Sequence, residues 1–300
     1  MSSEISLRLR EKVNRNFKNK PLFAFQLHRH RTGSLIAPHW HPQTEILHIL
    51  QGNGIINLNG FNISPPDGSL LVVNPNQLHS YTGDAGLKEV IVDIYQFSPE
   101  TLCLANEFPG QKELLRPLSR GETGLDPVTL PDSTGYTEIM DIIQKLNKLF
   151  IGNKHIQSWQ HVAGKALLLE LVAQFAACSK LVVIPRQGTQ AHESVRNLIS
   201  FLQEQYAQRI SLTDMANFLH LNYVYMIRIF KKYTGLTPLA YLHQIRLEHA
   251  QLILQNEKVS ISIVAERCGF ESTNHFIRMF HLYYGKPPGK WAREQEYPFE

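Results

Sequence analysis

The feature that most narrows the fold is an internal repeat near the end of the chain. Residues 210 to 238, ISLTDMANFLHLNYVYMIRIFKKYTGLTP, can be laid over residues 261 to 288, ISIVAERCGFESTNHFIRMFHLYYGKPP. Ala216 falls on Ala265, Leu221 on Phe270, Arg228 on Arg278, Phe230 on Phe280, Gly235 on Gly285 and Pro238 on Pro288. The offset moves from 49 to 50 across the turn, as one inserted loop residue requires. Each copy reads as a short helix, a tight turn and a second helix ending in basic residues, the helix-turn-helix pattern. Ala216 and Ala265 are small where two helices must approach closely, and Leu221 and Phe270 plug the turn. Met226, Ile229, Phe230 and Tyr233 make one inward stripe, and Phe276, Met279, Phe280 and Tyr283 make the other.

A net charge of only +4 argues weakly for a nucleic-acid partner, but its placement argues strongly. Arg228, Lys231 and Lys232 form one basic group, and Arg278, Lys286, Lys290 and Arg293 form another, ahead of an acidic tail at Glu294, Glu296 and Glu300. Between the copies, Thr237-Pro238 is a helix start with a capping hydroxyl and proline at the first position. The helix it opens is roughly 25 to 27 Å long at about 1.5 Å per residue. Such a rod can hold two reading helices in successive major grooves, which lie about 34 Å apart on one face of DNA.

RLEHAQLIL followed by ISIVAERCGFESTNHFIRMFHLYYGKPPGKW resembles the C-terminal signature of AraC/XylS-type transcription regulators, over residues 192 to 293. The resemblance implies a seven-helix domain with Val224, Ile227 and Arg228 base-facing in the first reading helix and Thr273, Asn274, Ile277 and Arg278 in the second. Asn222, Lys231, Lys232, Ser272 and Lys286 complete the expected DNA-binding set. Two residues depart from the pattern. His220 stands where many members have glycine, as Gly269 does in the second copy, so it is expected at positive φ. Val224 and Ile227 are apolar; they can touch thymine methyls but cannot form bidentate hydrogen bonds, which assigns more base discrimination to the second helix.

The first third has a different period. FAFQLHRH, EILHIL, GIINL, FNIS, SLLVV and EVIVDIYQF are short strands punctuated by Asn59-Gly60, Pro65-Pro66-Asp67-Gly68 and Asn74-Pro75-Asn76. Asn59-Gly60 between alternating runs is a hairpin signal, because both central residues of that turn need positive φ. Within this region PHWHPQTEILHILQG puts His39, His41 and Glu45 at spacings that share a strand face if the pleat survives Pro42. With Gly33 and Gly52 the stretch resembles the first cupin motif. PDGSLLVVNPNQLHS partly resembles the second, with His79 in the place of a fourth ligand, although Asn74 and Asn76 replace the usual proline and glycine.

That resemblance, over residues 22 to 97, implies a closed antiparallel barrel. His39, His41, Glu45 and His79 are then effector-binding groups and candidate ligands for a divalent metal, with no cofactor required. His28, His30 and His48 read as structural or surface residues. The alternative is a metal-dependent cupin enzyme fused to a DNA-binding domain; no Ser/His/Asp set, P-loop or GxGxxG stretch suggests other catalysis.

From residue 133 the period becomes helical. Ile139, Ile142, Ile143 and Leu146 form one stripe, and Ile156, Trp159, Val162, Ala163, Ala166 and Leu167 a second; self-association is the first role assigned to these helices and cover of the sheet the second. Cys103, Cys178 and Cys268 are odd in number and unclustered, as reduced thiols are. Residues 1 to 20 are basic without the apolar core of a signal peptide, and no window approaches the roughly 18 apolar residues of a membrane span. A cytoplasmic location with no membrane partner is therefore expected.

The reading is a multidomain α+β chain. Residues 22–131 form a cupin-like effector-sensing barrel, 132–182 a helical dimerisation segment, 183–191 a linker, and 192–293 an all-α domain with two helix-turn-helix units. The expected function is a sequence-specific transcription regulator, in the activator class, that responds to a small molecule, a sugar by family analogy. Its expected partners are double-stranded promoter DNA, the effector and a second copy of itself, with RNA polymerase as a further one.

Overall fold

The computed structural model describes residues 22–29, 33–52, 54–83, 89–104, 108–153, 155–184 and 190–296. The basic start of the chain, His30 and part of the expected linker lie outside these residues. The N-terminal half is a sandwich of two antiparallel sheets. One has five strands, β1 (Leu22–Arg29), β8 (Val90–Phe97), β3 (Thr44–Gln51), β6 (Leu70–Val73) and β10 (Val128–Thr129), in that spatial order. The other has four, β2 (Gly33–His39), β7 (His79–Gly83), β4 (Gly54–Leu58) and β5 (Phe61–Ile63). β11 (Leu181–Val183) pairs separately with β9 (Thr123–Leu125).

These sheets do not close into the expected cupin-like barrel. β1 and β10 end one sheet and β2 and β5 end the other, and none of these four edges pairs with another. Closure requires a continuous, staggered ladder around the whole perimeter. Hydrophobic alternation reports which face of a strand is buried and says nothing of whether its edge has a partner. The Asn59-Gly60 turn between β4 and β5 is as expected, with φ 51 and 90.

The five-stranded sheet is buried on both faces. Toward the second sheet it presents Leu27, Leu47, Ile49, Leu71, Val73, Val92 and Ile94, which pack on Ile56, Leu58 and Tyr81. On its outer face Leu22, Ile46, Leu70, Val72, Tyr95 and Phe97 are covered by two helices, α1 (Tyr136–Phe150) and α2 (Ser158–Ala177). The α1 stripe of Ile139, Ile142, Ile143 and Leu146 lies on the sheet as a helical period of apolar residues must. Helix α2 buries Leu168, Leu171, Val172 and Phe175, and this leaves Trp159 and Val162, of the expected stripe, 59% and 73% exposed.

Seven helices follow among the described residues: α3 (Gln190–Gln205), α4 (Leu212–Leu219), α5 (Tyr223–Thr234), α6 (Pro238–Asn256), α7 (Ile261–Arg267), α8 (Thr273–Tyr284) and α9 (Pro288–Glu296). Helices α4 and α5 form the first helix-turn-helix, α7 and α8 the second, and α6 joins them. Thr237 caps α6 by accepting from the Ala240 amide at 3.3 Å, and the 19-residue helix is about 28 Å long. His220 takes the left-handed conformation expected of it, φ 53, at the turn of the first unit. Each unit has its own apolar core. That of the second is built from residues between Leu247 and Trp291 with Ala292 against it, whereas that of the first also takes in Ala37 and Leu78 from the N-terminal sandwich. No helix among the described residues is long and apolar enough to cross a membrane.

Candidate functional site

Three histidines and a glutamate meet between the two sheets. His39 ends β2 and is the ladder partner of His79, which opens β7. His41 follows in the bend before β3, and Glu45 is the second residue of β3 in the opposite sheet. The four therefore do not share one strand face. The chain bends at Pro42 and Gln43 and crosses from one sheet to the other, so the cluster is assembled across the sandwich.

Ring centroids lie 4.1 Å apart for His39 and His79, 5.0 Å for His41 and His79, and 5.6 Å for His39 and His41. One ligand atom from each histidine falls within 4.8 Å of the others. His41 Nε2 is 3.3 Å from Glu45 Oε2, and His79 Nε2 is 3.5 Å from Oε1. The Gln96 amide, on β8, donates to Glu45 Oε2 and lies 3.4 Å from His41 Nε2.

Each Nδ1 faces a backbone carbonyl: His39 to Ala37 at 2.9 Å, His41 to Gln43 at 3.1 Å and His79 to Gln77 at 3.0 Å. A carbonyl oxygen only accepts, so these Nδ1 atoms carry the hydrogens, and Nε2 of His41 and His79 turns a lone pair or a second proton toward Glu45. Among the described residues His79 Nε2 and Glu45 Oε1 are buried without a hydrogen-bond partner. Burial pushes the Glu45 carboxyl up, but the contacts and charge of His41 and His79 outweigh it and hold the group well below the usual carboxylate range. A buried carboxylate facing two imidazoles calls for positive charge or hydrogen-bond donors between them.

Gln96 is absent from the sequence-derived set. Register alone makes it a member, because it sits opposite Glu45 in the β3–β8 ladder. His48 and Asp93 turn to the outer face, where Asn147 of α1 donates to Asp93 Oδ2 at 2.6 Å and Gln26 donates to Oδ1 at 2.9 Å. His28 pairs with Glu89, near the edge of the sheet.

Of the expected DNA-binding residues, Val224, Arg228, Lys231 and Lys232 are exposed along α5, and Asn274 and Arg278 along α8; Ile227, Thr273 and Ile277 are half-buried. Asn222 and Ser272 hold the starts of these helices. Asn222 accepts from the amides of Val224 and Tyr225 at 2.9 and 3.4 Å, and Ser272 accepts from His275 at 3.4 Å. Lys286 is exposed just beyond α8. Two exposed aromatics of α5, Tyr223 and Tyr225, were not expected; the Arg228 guanidinium lies 5.3 Å from the Tyr225 ring centroid. Aromatic residues in a reading helix carry no sequence signal that separates them from core residues.

Residues 23–94 match the AraC-like ligand binding domain family and residues 215–294 match a helix-turn-helix domain family. The chain is 29% identical over 262 residues to the HTH-type transcriptional activator RhaR of Yersinia pseudotuberculosis, which covers 83% of this chain and 82% of that one. It is 26% identical over 159 residues to the Msm operon regulatory protein of Streptococcus mutans, covering 53% and 55%. Among solved structures, the C-terminal domain of the response regulator AraT from Geobacillus stearothermophilus aligns at 29% identity and TM-score 0.33, over 33% of this chain and 84% of that one. The two domain matches, in this order along one chain, together with the similarity to RhaR, support an AraC-type DNA-binding transcription regulator with a ligand-binding N-terminal domain, and not an enzyme.

Proposed function

We propose that the effector of this regulator binds at His39, His41, Glu45 and His79, and that Arg228 with Val224 and Ile227, and Arg278 with Thr273, Asn274 and Ile277, read promoter DNA. The observation that carries the effector site is the convergence of four polar side chains, with Gln96 beside them, in the interior of the sandwich, where Glu45 Oε1 and His79 Nε2 face only each other, at 3.5 Å. Native interiors tolerate such groups where a ligand satisfies them. A sugar suits the set, because a hydroxyl donates to a carboxylate or an imidazole lone pair and accepts from an imidazole N–H. Lys231, Lys232 and Lys286 supply phosphate contacts, and Asn222 and Ser272 hold the helix starts toward the duplex. The printed name of RhaR supports an activator, which brings RNA polymerase in as a partner.

A divalent metal is the second reading. The observation favouring it is that all three Nδ1 atoms are anchored on backbone carbonyls, the arrangement by which ligating histidines are oriented. Tetrahedral coordination at about 2.0 to 2.1 Å needs nitrogens about 3.4 Å apart, so the rings must close in from their present separation of up to 4.8 Å.

A thermal-shift screen of the full chain against sugars, small acids and divalent metals tests both readings. A true ligand at 100 times its dissociation constant adds about 2.7 kcal/mol of stability. That gain should vanish in His41→Ala. A ligand that stabilises wild type and His41→Ala equally would place the effector site elsewhere.

A further inference from the structure

The residues that flank the histidine cluster are also the seat of the first helix-turn-helix. Leu78 and His79 are consecutive, yet Leu78 lies in the apolar core of the first unit while His79 faces Glu45. Pro38 precedes His39, and its carbonyl accepts from the Tyr241 hydroxyl of α6 at 2.8 Å. Trp40 stands between His39 and His41, and the Arg196 guanidinium of α3 lies 3.9 Å from its ring centroid. The His41 carbonyl accepts from the Asn76 amide at 2.8 Å, and the Asn76 side chain reaches Arg196 at 3.5 Å. Asn59 binds the Leu78 amide through Oδ1 at 2.9 Å, and the same oxygen is 2.9 Å from His192 Nε2 on α3.

From this juxtaposition, and resting on the reading of the cluster as the effector site, we propose that effector occupancy is transmitted through this seat directly to the first helix-turn-helix and reaches the second only through the first. His39 and His79 are tied to the backbone through Nδ1, on the Ala37 and Gln77 carbonyls, so a ligand that draws these rings in also pulls on the segments that carry Pro38 and Leu78. Leu78 and Ala37 are packed into the core that positions α3, α5 and α6, and close-packed cores shift as a body. The core of the second unit runs from Leu247 to Ala292 and takes in no sandwich residue. The two reading helices therefore differ in their seat: α5 stands on a core that includes sandwich residues, whereas α8 is reached from that core through α6, where His243 stacks on Phe270 and meets His275. Reciprocity follows, since DNA that alters the seat of the first unit must alter effector affinity by the same factor.

Hydrogen exchange by mass spectrometry on the full chain tests the coupling with three samples: wild type, Glu45→Gln, and wild type with zinc. Glu45→Gln conserves shape and needs no ligand. It should change exchange several-fold in β2 and β7 and also in α3 and the first half of α6, with a clearly smaller change in α7 and α8. A change that stops at the sheets, or one that spreads equally into α7 and α8, overturns the proposal. Zinc that alters β2 and β7 but not α3 and α6 also overturns it while leaving the site intact. Zinc that alters nothing argues against a metal at the cluster, and Glu45→Gln alone then decides the coupling. Arg196→Ala combined with Tyr241→Phe should keep the response of the sheets and lose that of the helices.

Discussion

His220 and Gly269 occupy the same place in the turns of the two helix-turn-helix units and share a left-handed backbone, at φ 53 and φ 76. The amide of His220 donates to the Asn217 carbonyl at 3.1 Å and that of Gly269 to the Glu266 carbonyl at 2.9 Å, so the same turn is built twice with different residues. A histidine in this conformation is strained by about 1 to 2 kcal/mol, while glycine in its place costs about 0.5 to 1 kcal/mol of extra unfolded-state freedom.

His220→Gly should therefore stabilise the chain by roughly 0.5 kcal/mol in urea unfolding. Gly269→Ala should do the opposite by about 2 kcal/mol or more, because strain adds to collision. A Cβ there would stand 2.7 Å from the Ala207 carbonyl oxygen and 2.8 Å from that of Tyr206. The Tyr206 carbonyl cannot retreat freely, since Arg246 Nε donates to it at 2.8 Å. Equal effects of the two substitutions would show that the turns are not equivalent in energy.

The second prediction concerns DNA. Arg278→Ala should cost about 1 to 3 kcal/mol on the cognate site and relax preference at one base pair, as loss of a guanine contact does. Lys231→Ala should weaken binding to cognate and random DNA alike, with a shallower salt dependence. Fluorescence anisotropy on both DNAs separates the cases. Equal losses on the two for Arg278→Ala would remove it from the base-reading set.

The helical half was legible because a repeat tests itself: Ala216, Leu221, Arg228, Phe230, Gly235 and Pro238 in one copy each had a counterpart in the other. Strands were legible too, from alternation and from Asn59-Gly60. Their assembly was not, because closure depends on edge pairing that no local pattern encodes. The same limit applied to the site. His39, His41 and Glu45 could be named from spacing and His79 from the cupin resemblance, but Glu45 belongs to the opposite sheet and Gln96 joins only through register. Residues 183 to 191 read as a linker between the two domains. Leu78 and Ala37 looked like ordinary strand residues, and nothing in their neighbours indicates that they complete the core of the first unit more than 100 residues away.

Cys268 gives a third prediction. Its thiol is buried in the core of the second unit, and burial pushes its pKa from 9.0 up to about 12. The thiolate is the reactive form, so native protein near neutral pH should leave Cys268 unmodified by thiol reagents while the half-buried Cys103 and Cys178 react faster. Because the folded value lies above the unfolded one, the unfolded chain releases this proton first, and stability should fall as pH rises above about 9. Mass spectrometry after labelling in buffer and in denaturant checks the first point. Cys268→Ala, which removes the ionisable group, should flatten the alkaline limb of an unfolding curve.

The last prediction concerns the outer surface of α2. Its inner face is committed to the sheet through Leu168, Leu171, Val172 and Phe175, yet the opposite face carries Trp159 and Val162, 59% and 73% exposed, with Ala166 and Ala173 continuing the exposed line. These exposed apolar residues, interrupted by Glu170, are where the self-association expected from the sequence would act if it occurs through this helix. Trp159→Glu with Val162→Asp should then yield a monomer in sedimentation velocity at concentrations where wild type is dimeric. Because both side chains are exposed in the single chain, the monomer's own stability should move by no more than about 0.5 kcal/mol each. On DNA the variant should lose affinity for a two-site operator far more than for a single site, since linked binding is what the dimer supplies. Unchanged sedimentation would show that the chain associates through another surface or not at all.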